Sequence, residues 1–372
     1  MTRVMRAAIP FFLLFSTLAI AGDHELVRAD HYVPVKSAVP FIEGQTAQIY
    51  VREVVMAGPA LRSNPDSSNV VLFVHGAGTP AEVAFDVPYQ DYSWMAYLAD
   101  AGYDVFSMDM TGYGRSTRPT PMNDRCNLSE EDFAELFPDA KACSPSYPNN
   151  MTTMGSDWHD IDVVVSHLME IRGVNQVNLV AWSLGGPRAG GYAAQHPEKV
   201  RSLVLLAPAY FRDRPSEAPK QLPAKGSVMT KQTRRDFIDG WDAQIGCEDQ
   251  FVPGARNTVW AEMLASDPVG ATWGSGVRRA PSVTNFGFGK ATVSKMTTPT
   301  LMVVGDYDTL LERVGEMYGD LGSPKKVLAH LPCSGHNAMW ETNHLLLFEA
   351  SRQWIAGGML LGTDSGELKL AE

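Results

Sequence analysis

Short apolar runs recur along the chain, and each is bounded by glycine, proline or polar residues. Runs of this kind without alternation are typical of strands buried on both faces, as in parallel sheets. They occur at residues 70–74, 103–108, 177–181, 200–207, 299–304 and 326–331. Segments with helical spacing of apolar residues lie between several of them, at 94–101, 156–171 and 184–196. This alternation predicts an α/β fold with a mostly parallel sheet.

Three further segments have patterns of their own. Apolar and polar residues alternate at 47–55, which predicts an antiparallel edge strand. The alternation of strand-like and helix-like segments is interrupted at 210–294, where two helix-like stretches follow a proline-rich start. We therefore predict one α/β core, in the parts 22–209 and 295–356, with a helical cap at 210–294 inserted between strands 6 and 7. Residues 357–372 are glycine-rich and polar, and we expect a flexible tail there.

The net charge and the N-terminal residues limit the partners and the cellular compartment that we expect for this protein. The 372 residues include 31 Lys and Arg against 42 Asp and Glu, a balance that disfavours nucleic acid or an anionic membrane as partner. Residues 1–21 combine a basic start, an apolar stretch and an A-x-A site, which predicts a signal peptide cleaved after Ala21. Because the apolar stretch is too short to span a bilayer comfortably, we expect no membrane anchor after cleavage. The mature protein is predicted to be exported to the periplasm or the medium.

Four cysteines in an exported chain favour disulfides, because the compartment is oxidising. Three pairings are possible. Cys126 and Cys143 bracket one polar, proline-rich loop and form the natural local pair, which would leave Cys247 paired with Cys333. No C-x-x-C or H-E-x-x-H spacing occurs, which disfavours zinc. We expect neither a metal nor a cofactor.

The candidate nucleophile is Ser183, within the sequence QVNLVAWSLGG at 176–186. This serine follows a strand-like run directly and precedes a helix-compatible segment. A serine at a sharp strand-to-helix turn requires small residues two positions away on each side, and Ala181 and Gly185 meet that requirement. The pattern is A-x-S-x-G rather than the usual G-x-S-x-G. A serine in a simple turn is the alternative interpretation.

A second motif, HGAG at 75–78, follows the buried strand at 70–74. Glycines there let backbone N–H groups approach a substrate oxygen, and the N–H groups of Ala77 and Leu184 would together hold a developing oxyanion. A tight turn without a chemical role is the alternative interpretation of this motif.

Candidates for the base and its orienting acid lie further along the chain. Asp308 ends the sequence GDYD after the strand at 299–304, and we prefer it to Asp306 because the third position after the glycine projects beyond the strand end. His336 lies on a glycine-containing loop 28 residues later. A histidine can take the serine proton, and a carboxylate at its far nitrogen fixes the tautomer.

Tryptophans are the candidate substrate-binding residues. Trp182 precedes the serine, and Trp241, Trp260 and Trp273 lie in the predicted cap. Aromatic residues that simply pack a cap onto a core are the alternative for each of them.

Five motifs together resemble the α/β-hydrolase superfamily over nearly all of residues 45–356. They are HGAG at 75–78, DMTGYGRS at 109–116, AWSLGG at 181–186, GDYD at 305–308 and SGH at 334–336. The resemblance implies a doubly wound, mostly parallel sheet with helices on both faces. It also implies triad roles for Ser183, Asp308 and His336, and two-step acyl transfer on a small molecule with an acyl or ester group. A carboxylic ester is the expected substrate.

Other activities use the same parts. Amide, lactone, thioester and carbon–carbon (diketone) hydrolysis remain alternatives within the superfamily. The serine disfavours epoxide hydrolase and haloalkane dehalogenase, whose relatives in this fold place aspartate at the turn. A non-catalytic binding protein and a cofactor-free oxygenase are alternatives of other classes.

Overall fold

The computed structural model describes residues 25–58, 69–222 and 227–371. The predicted signal peptide at 1–21 and its cleavage site lie outside these residues. The strands are β1 (Leu26–Lys36), β2 (Thr46–Met56), β3 (Val70–Val74), β4 (Asp104–Met108), β5 (Thr152–Thr153), β6 (Val177–Trp182), β7 (Val200–Leu206), β8 (Met229–Thr233), β9 (Val277–Pro281), β10 (Val283–Thr284), β11 (Thr300–Gly305), β12 (Lys326–Leu331) and β13 (Ser365–Lys369). The helices are α1 (Ala81–Phe85), α2 (Trp94–Asp100), α3 (Glu130–Leu136), α4 (Met154–Arg172), α5 (Gly185–Gln195), α6 (Arg234–Asp242), α7 (Pro253–Ala265), α8 (Lys290–Val293), α9 (Leu311–Asp320) and α10 (His344–Gly357).

Nine strands form one sheet in the order β1-β2-β4-β3-β6-β7-β11-β12-β13. The β1–β2 and β2–β4 pairs are antiparallel, and all other neighbours are parallel. Helices α4, α5 and α9 bury their apolar side chains on one face, and α2 and α10 on the other. Four strands are consequently buried along their whole length, namely β3, β4, β6 and β11. Because both of their faces are covered, their sequences are continuous apolar runs. This confirms the predicted doubly wound, mostly parallel sheet.

The strand order places the functional motifs side by side. β3 and β6 are neighbours, and the chain continues from β3 to β4 in one direction and from β6 to β7, β11 and β12 in the other. In open α/β sheets, ligands bind at the carboxyl ends of strands where the order reverses in this way. The HGAG loop follows β3 and Ser183 follows β6, so both lie at this crevice.

Both edges of the sheet differ from the sequence predictions. The predicted edge strand at 47–55 is β2, which is paired on both sides, and β1 forms that edge. At the other edge, the predicted flexible tail is wrong for β13, which pairs in parallel with β12. Backbone hydrogen bonds to an open strand require no apolar side-chain pattern, and SGELK in β13 has none. Leu370, just after β13, is buried and its N–H donates to the His330 carbonyl over 2.9 Å.

The segment at 210–294, called here the inserted segment, lies between β7 and β11. It contains the two long helices α6 and α7, as predicted, but also an antiparallel pair, β8 and β9. The description of this segment as helical is therefore incomplete. β10 also pairs with β5, far back in the chain. Strands as short as β8 and β9, with mixed polar and apolar residues, leave little pattern in the sequence.

The four cysteines form two disulfides. Cys126 is bonded to Cys143 within the loop region between β4 and β5. Cys247, between α6 and α7, is bonded to Cys333, in the loop that follows β12. This is the pairing that the sequence favours among the three possibilities.

A buried carboxyl on α4 gives a prediction about stability. Asp160 is fully buried; one of its oxygens accepts the Thr111 N–H over 3.0 Å, and the other has no hydrogen-bond partner in the described residues. Burial raises the pKa of Asp160 from 3.8 to about 7. The unfolded state therefore releases this proton at lower pH than the folded state does. The contribution of Asp160 to stability is present in acid and declines as pH rises from about 4 through about 7.

We expect the Asp160→Asn variant to gain stability relative to the wild type as pH rises, because asparagine cannot ionise and keeps an acceptor for Thr111. The gain between pH 5 and pH 8 should be on the order of 2 kcal/mol in the free energy of unfolding, measured by urea titration at both pH values. Asp100→Asn, at an exposed aspartate, is the control and should show no such change. A pH-independent difference between Asp160→Asn and the wild type would contradict this account.

Candidate active site

Ser183 occupies a sharp turn between β6 and α5. Its φ of 57° is in the left-handed region, which side chains other than glycine rarely adopt. Its N–H donates to the Leu206 carbonyl over 3.0 Å, and its carbonyl accepts from the N–H groups of Gly186 and Ala209 at 2.9 Å each. These bonds hold the turn on β7 and on the loop that follows it. The Ser183 side chain lines a cavity at the carboxyl end of the sheet.

The packing around this turn explains the small residues of the motif. A Cβ on Gly185 would overlap the Val74 carbonyl oxygen, and a Cβ on Gly76 would lie 2.9 Å from the Cβ of Ser183. The turn and the HGAG loop therefore approach each other as closely as backbones can. Ala181, where glycine is usual, is fully buried opposite Val74 in the sheet, so its methyl group is accommodated.

His336 and Asp308 extend from Ser183 in a hydrogen-bonded series. The Nε2 atom of His336 is 2.9 Å from the Ser183 Oγ, and its Nδ1 atom is 3.0 Å and 3.1 Å from the two carboxylate oxygens of Asp308. Asp308 is buried after β11, and one of its oxygens also accepts the Leu310 N–H over 2.7 Å. The structure thus brings together the three residues singled out in the sequence. Such a series can pass the hydroxyl proton to the ring while the carboxylate stabilises the imidazolium.

The backbone of His336 is fixed from two sides. Its N–H donates to Oε1 of Gln244 over 3.1 Å, and its carbonyl accepts the indole N–H of Trp182 over 2.8 Å. Gln244 lies just after α6 in the inserted segment, and its Oε1 also accepts the Thr309 N–H next to Asp308, over 3.3 Å. One side-chain oxygen therefore bridges the histidine loop and the aspartate loop.

A buried glutamate supports the same loop. Glu341 accepts hydrogen bonds from the Gly335 N–H at 2.7 Å, the Trp241 indole at 2.9 Å and the Gln250 amide at 3.1 Å. Burial raises the pKa of Glu341 to about 7, although these donors favour the ionised form. Because Gly335 precedes His336, this carboxyl helps to set the position of the imidazole.

The HGAG loop is organised by a buried ion pair. The Nε atom of Arg188 donates to Asp157 over 2.7 Å, and its Nη1 atom donates to the carbonyls of His75 and Gly76 at 3.0 Å each. Both charged side chains are fully buried. Burial, with the nearby guanidinium, lowers the pKa of His75 well below 6.5, so this ring is neutral. It accepts the Met110 N–H at Nε2, which assigns the ring proton to Nδ1.

This arrangement leaves two backbone donors unused beside the serine. Arg188 holds the loop carbonyls, and within residues 25–58, 69–222 and 227–371 neither the Ala77 N–H nor the Leu184 N–H has an acceptor. Leu184 caps the N-terminus of α5, where the helix dipole also favours negative charge. The site can therefore accommodate an oxyanion.

A cavity of about 260 Å³ lies in front of Ser183. It is lined by Ala77, Thr79, Trp182, Ser183, Gln232, Phe237, Gly240, Trp241, Gln244, Met263, Arg278, His336, Asn337 and Trp340. Of the tryptophans predicted to bind substrate, Trp182 and Trp241 are in this set. The inserted segment thus forms part of the cavity wall.

Trp260 and Trp273, also predicted to bind substrate, do not line this cavity. Trp260 stacks on Phe237 with 5.5 Å between ring centroids, and Trp273 packs against Phe137 at 5.8 Å. Both serve the packing of the inserted segment. Hydrophobicity alone does not distinguish an aromatic ring that packs a helix from one that faces a cavity.

Several residues of the site carry no motif that the sequence analysis could use. Gln244 acts through hydrogen bonds to backbone groups that are distant in sequence, and Glu341 through hydrogen bonds to the distant side chains of Trp241 and Gln250. Arg278 is one of two adjacent arginines in β9, and strand alternation implies that only one of them faces the cavity. Strand alternation in the sequence therefore indicates that one of the two arginines faces the cavity, but it does not indicate whether this is Arg278 or its neighbour.

In residues 25–58, 69–222 and 227–371, no group of three or more His, Cys, Asp and Glu side chains is arranged to hold a metal ion. No helix within the same ranges has the length and apolarity needed to cross a membrane.

The α/β-hydrolase class is defined by a doubly wound sheet that carries a serine turn, a histidine and a carboxylate at the carboxyl ends of its strands. The family model described as alpha/beta hydrolase fold matches residues 69–342, and the chain belongs to this family. This confirms the resemblance drawn from the motifs.

Known proteins similar to this chain include esterases. A pimeloyl-[acyl-carrier protein] methyl ester esterase of Chromobacterium violaceum is 34% identical over 87 residues, 22% of this chain and 33% of that protein. The match thus spans about a third of that relative's length. Among solved structures, a serine hydrolase involved in carbazole degradation superposes with a TM-score of 0.53 at 18% identity, covering 89% of this chain and 99% of the other. A thermophilic esterase from Thermogutta terrifontis superposes with a TM-score of 0.52 at 16% identity, covering 87% and 98%. At such identities the superpositions establish the fold.

The Arg188–Asp157 pair leads to a prediction about folding. Arg188→Met leaves the Asp157 carboxylate buried without its partner, and we expect the free energy of unfolding to fall by about 3 to 5 kcal/mol. Adding Asp157→Asn should restore much of the loss, since the unpaired charge is then gone. Urea unfolding of both single variants and the double variant measures the coupling. Additive effects of the two substitutions would show that the pair does not act as a unit.

Proposed function

We propose that this protein is an exported serine hydrolase that cleaves a carboxylic ester through an acyl-enzyme. The observation that carries the proposal is the series from Ser183 Oγ through His336 to Asp308, beside two backbone N–H groups that have no acceptor among the described residues. Each group stands within hydrogen-bonding reach of the next, so little rearrangement is needed before reaction.

In the first step, Oγ of Ser183 attacks the ester carbonyl as Nε2 of His336 takes its proton. Asp308 accepts the Nδ1–H and stabilises the imidazolium. The carbonyl oxygen becomes negative and is held by the N–H groups of Ala77 and Leu184. His336 then returns its proton to the departing alcohol, which leaves the acyl group on the serine.

In the second step, water attacks the acyl-enzyme. His336 takes a proton from the water, the same two N–H groups hold the oxyanion, and the acid product leaves as Ser183 recovers its proton. Every group that this cycle uses, apart from substrate and water, belongs to the chain itself. The partner is accordingly a small molecule with an acyl or ester group.

The ester as substrate is supported by the esterases among the similar proteins. Amide, lactone, thioester and carbon–carbon hydrolysis require the same nucleophile and base, and the test below separates them. Export is supported by the predicted signal peptide and by two disulfides, which persist in oxidising compartments.

The first test uses protein that lacks residues 1–21, kept under oxidising conditions, with p-nitrophenyl esters of increasing acyl length. We expect turnover by the wild type, and a loss of at least roughly 10⁴-fold in kcat for Ser183→Ala, because the nucleophile is absent. A fluorophosphonate should label the wild type and leave Ser183→Ala unlabelled.

Other outcomes decide between the alternatives. Labelling of Ser183 without ester turnover would reject the ester and direct the search to amides, lactones and diketones. Neither labelling nor turnover would reject the hydrolase and favour a binding protein. Oxygen consumption would identify an oxygenase.

A glycine substitution tests the oxyanion geometry. In Gly76→Ala, the new Cβ would lie 2.9 Å from the Cβ of Ser183 and 3.0 Å from the Trp182 carbonyl, so the HGAG loop must shift. We expect kcat to fall by roughly 10²-fold, as when one oxyanion donor is lost, with a smaller change in KM. Gly315→Ala, at an exposed helical glycine with no atom within 4 Å of the new Cβ, is the matched control. Equal rates for the two variants would remove the HGAG loop from the mechanism.

A further inference from the structure

Two adjacent arginines in β9 have opposite surroundings. Arg279 is fully buried and paired with Asp267, to which its Nη2 and Nε atoms donate over 2.6 Å and 2.9 Å. Arg278, on the other face of the strand, has a single side-chain hydrogen bond, from Nε to Oε1 of Gln232 over 3.0 Å. Within the described residues its two Nη groups have neither an ion pair nor a hydrogen-bond acceptor. An arginine with two unused donors is unusual where it is largely enclosed.

The guanidinium of Arg278 lies directly against the HGAG loop. A Cβ on Gly78 would overlap its Cζ and both Nη atoms. Gly78 has a φ of 83°, so its backbone also requires glycine. The absence of a side chain at Gly78 is what lets the charged group sit beside Ala77, one of the two candidate oxyanion donors.

The charged groups that line the cavity are cationic rather than anionic. Arg278 lines the cavity together with Ser183, and apart from His336 every other residue of the lining is neutral. In the part of the chain that the structure describes, no carboxylate belongs to the lining. Burial lowers the pKa of Arg278 to about 10, which still leaves it protonated at neutral pH. The cavity therefore presents one positive charge close to the serine, and the carboxylates that favour its charged form, Asp236 and Asp267, lie outside the lining.

Building on the proposed ester hydrolysis, we propose that Arg278 binds a carboxylate of the substrate, and that the substrates are compact esters bearing a free carboxylate near the scissile bond. The planar fork of an arginine matches a carboxylate with two parallel hydrogen bonds. The free-energy cost of removing the Arg278 guanidinium from water is compensated when the anion binds. A cavity of about 260 Å³ is at the small end for ligand pockets, which favours a short molecule.

The test compares esters that differ only in the distal group. Ethyl hydrogen succinate, glutarate and adipate carry a carboxylate at increasing distance from the ester, and ethyl butanoate, pentanoate and hexanoate are their neutral counterparts. Acetoxyacetate and 4-acetoxybutanoate place the carboxylate on the alcohol side. We expect the wild type to prefer at least one carboxylate ester over its neutral counterpart by tenfold or more in kcat/KM.

In Arg278→Gln, we expect kcat/KM for that carboxylate ester to fall by about 10- to 100-fold, the loss typical of a charge-assisted hydrogen bond, mainly through KM. The neutral ester should change by less than roughly threefold. Arg278→Lys should retain part of the preference, because it keeps the charge without the fork. Arg235→Gln removes an exposed positive charge from α6 and should retain all of it.

Two outcomes would overturn the inference. Equal losses for the carboxylate and neutral esters in Arg278→Gln would mean that the arginine only buttresses the HGAG loop. A wild type without preference for any carboxylate ester would mean that the charge does not recognise substrate.

A binding measurement keeps this test separate from that of the proposed function. Calorimetric titration of Ser183→Ala with the same half-esters requires no turnover. Binding that is lost in Ser183→Ala/Arg278→Gln supports the carboxylate site even if the wild type hydrolyses none of the esters. Absence of binding in both proteins, with neutral esters hydrolysed normally by the wild type, rejects the carboxylate site and leaves the hydrolase intact.

Discussion

The left-handed backbone at Ser183 is the constraint on which the rest of the site depends. A side chain in this conformation carries strain on the order of 1 to 3 kcal/mol, and it persists only where the surroundings leave no alternative. Here β7 and the loop after it bind the turn through two backbone hydrogen bonds, one with Leu206 and one with Ala209, while the HGAG loop packs against it at Gly76. The same turn begins α5, so the strain that presents the hydroxyl also directs the first N–H groups of a helix towards the cavity.

The histidine side of the site depends on different parts of the chain. Trp182 from β6, Gln244 from the inserted segment and Glu341 from the region before α10 all converge on the loop that carries His336. The serine turn is held by backbone hydrogen bonds, whereas the loop of the base is held by side chains, two of which, Gln244 and Glu341, lie outside the sheet. Packing of the inserted segment is therefore part of the geometry between nucleophile and base.

The sequence was sufficient for the buried parallel strands and for the serine, aspartate and histidine positions. Strands covered on both faces are necessarily apolar, and the motifs follow them directly, so Asp308 could be distinguished from Asp306 by its position after the strand. Edge strands β1 and β13 and the pair β8–β9 were missed or misassigned, because backbone pairing with a neighbour determines them more than their side chains do. Gln244 and Arg278 could not be predicted, since their roles arise from orientation. For the same reason, the sequence did not indicate that Trp260 and Trp273 lie outside the lining of the cavity.

The link between Cys247 and Cys333 has a mechanical consequence. Cys333 lies three residues before His336, and Cys247 lies three residues after Gln244, so the covalent bond and the hydrogen bond join the same two loops. Lifting this end of the inserted segment would drag the imidazole away from the serine and break the proton path. The disulfide therefore couples the position of this end of the inserted segment to the proton path of the site.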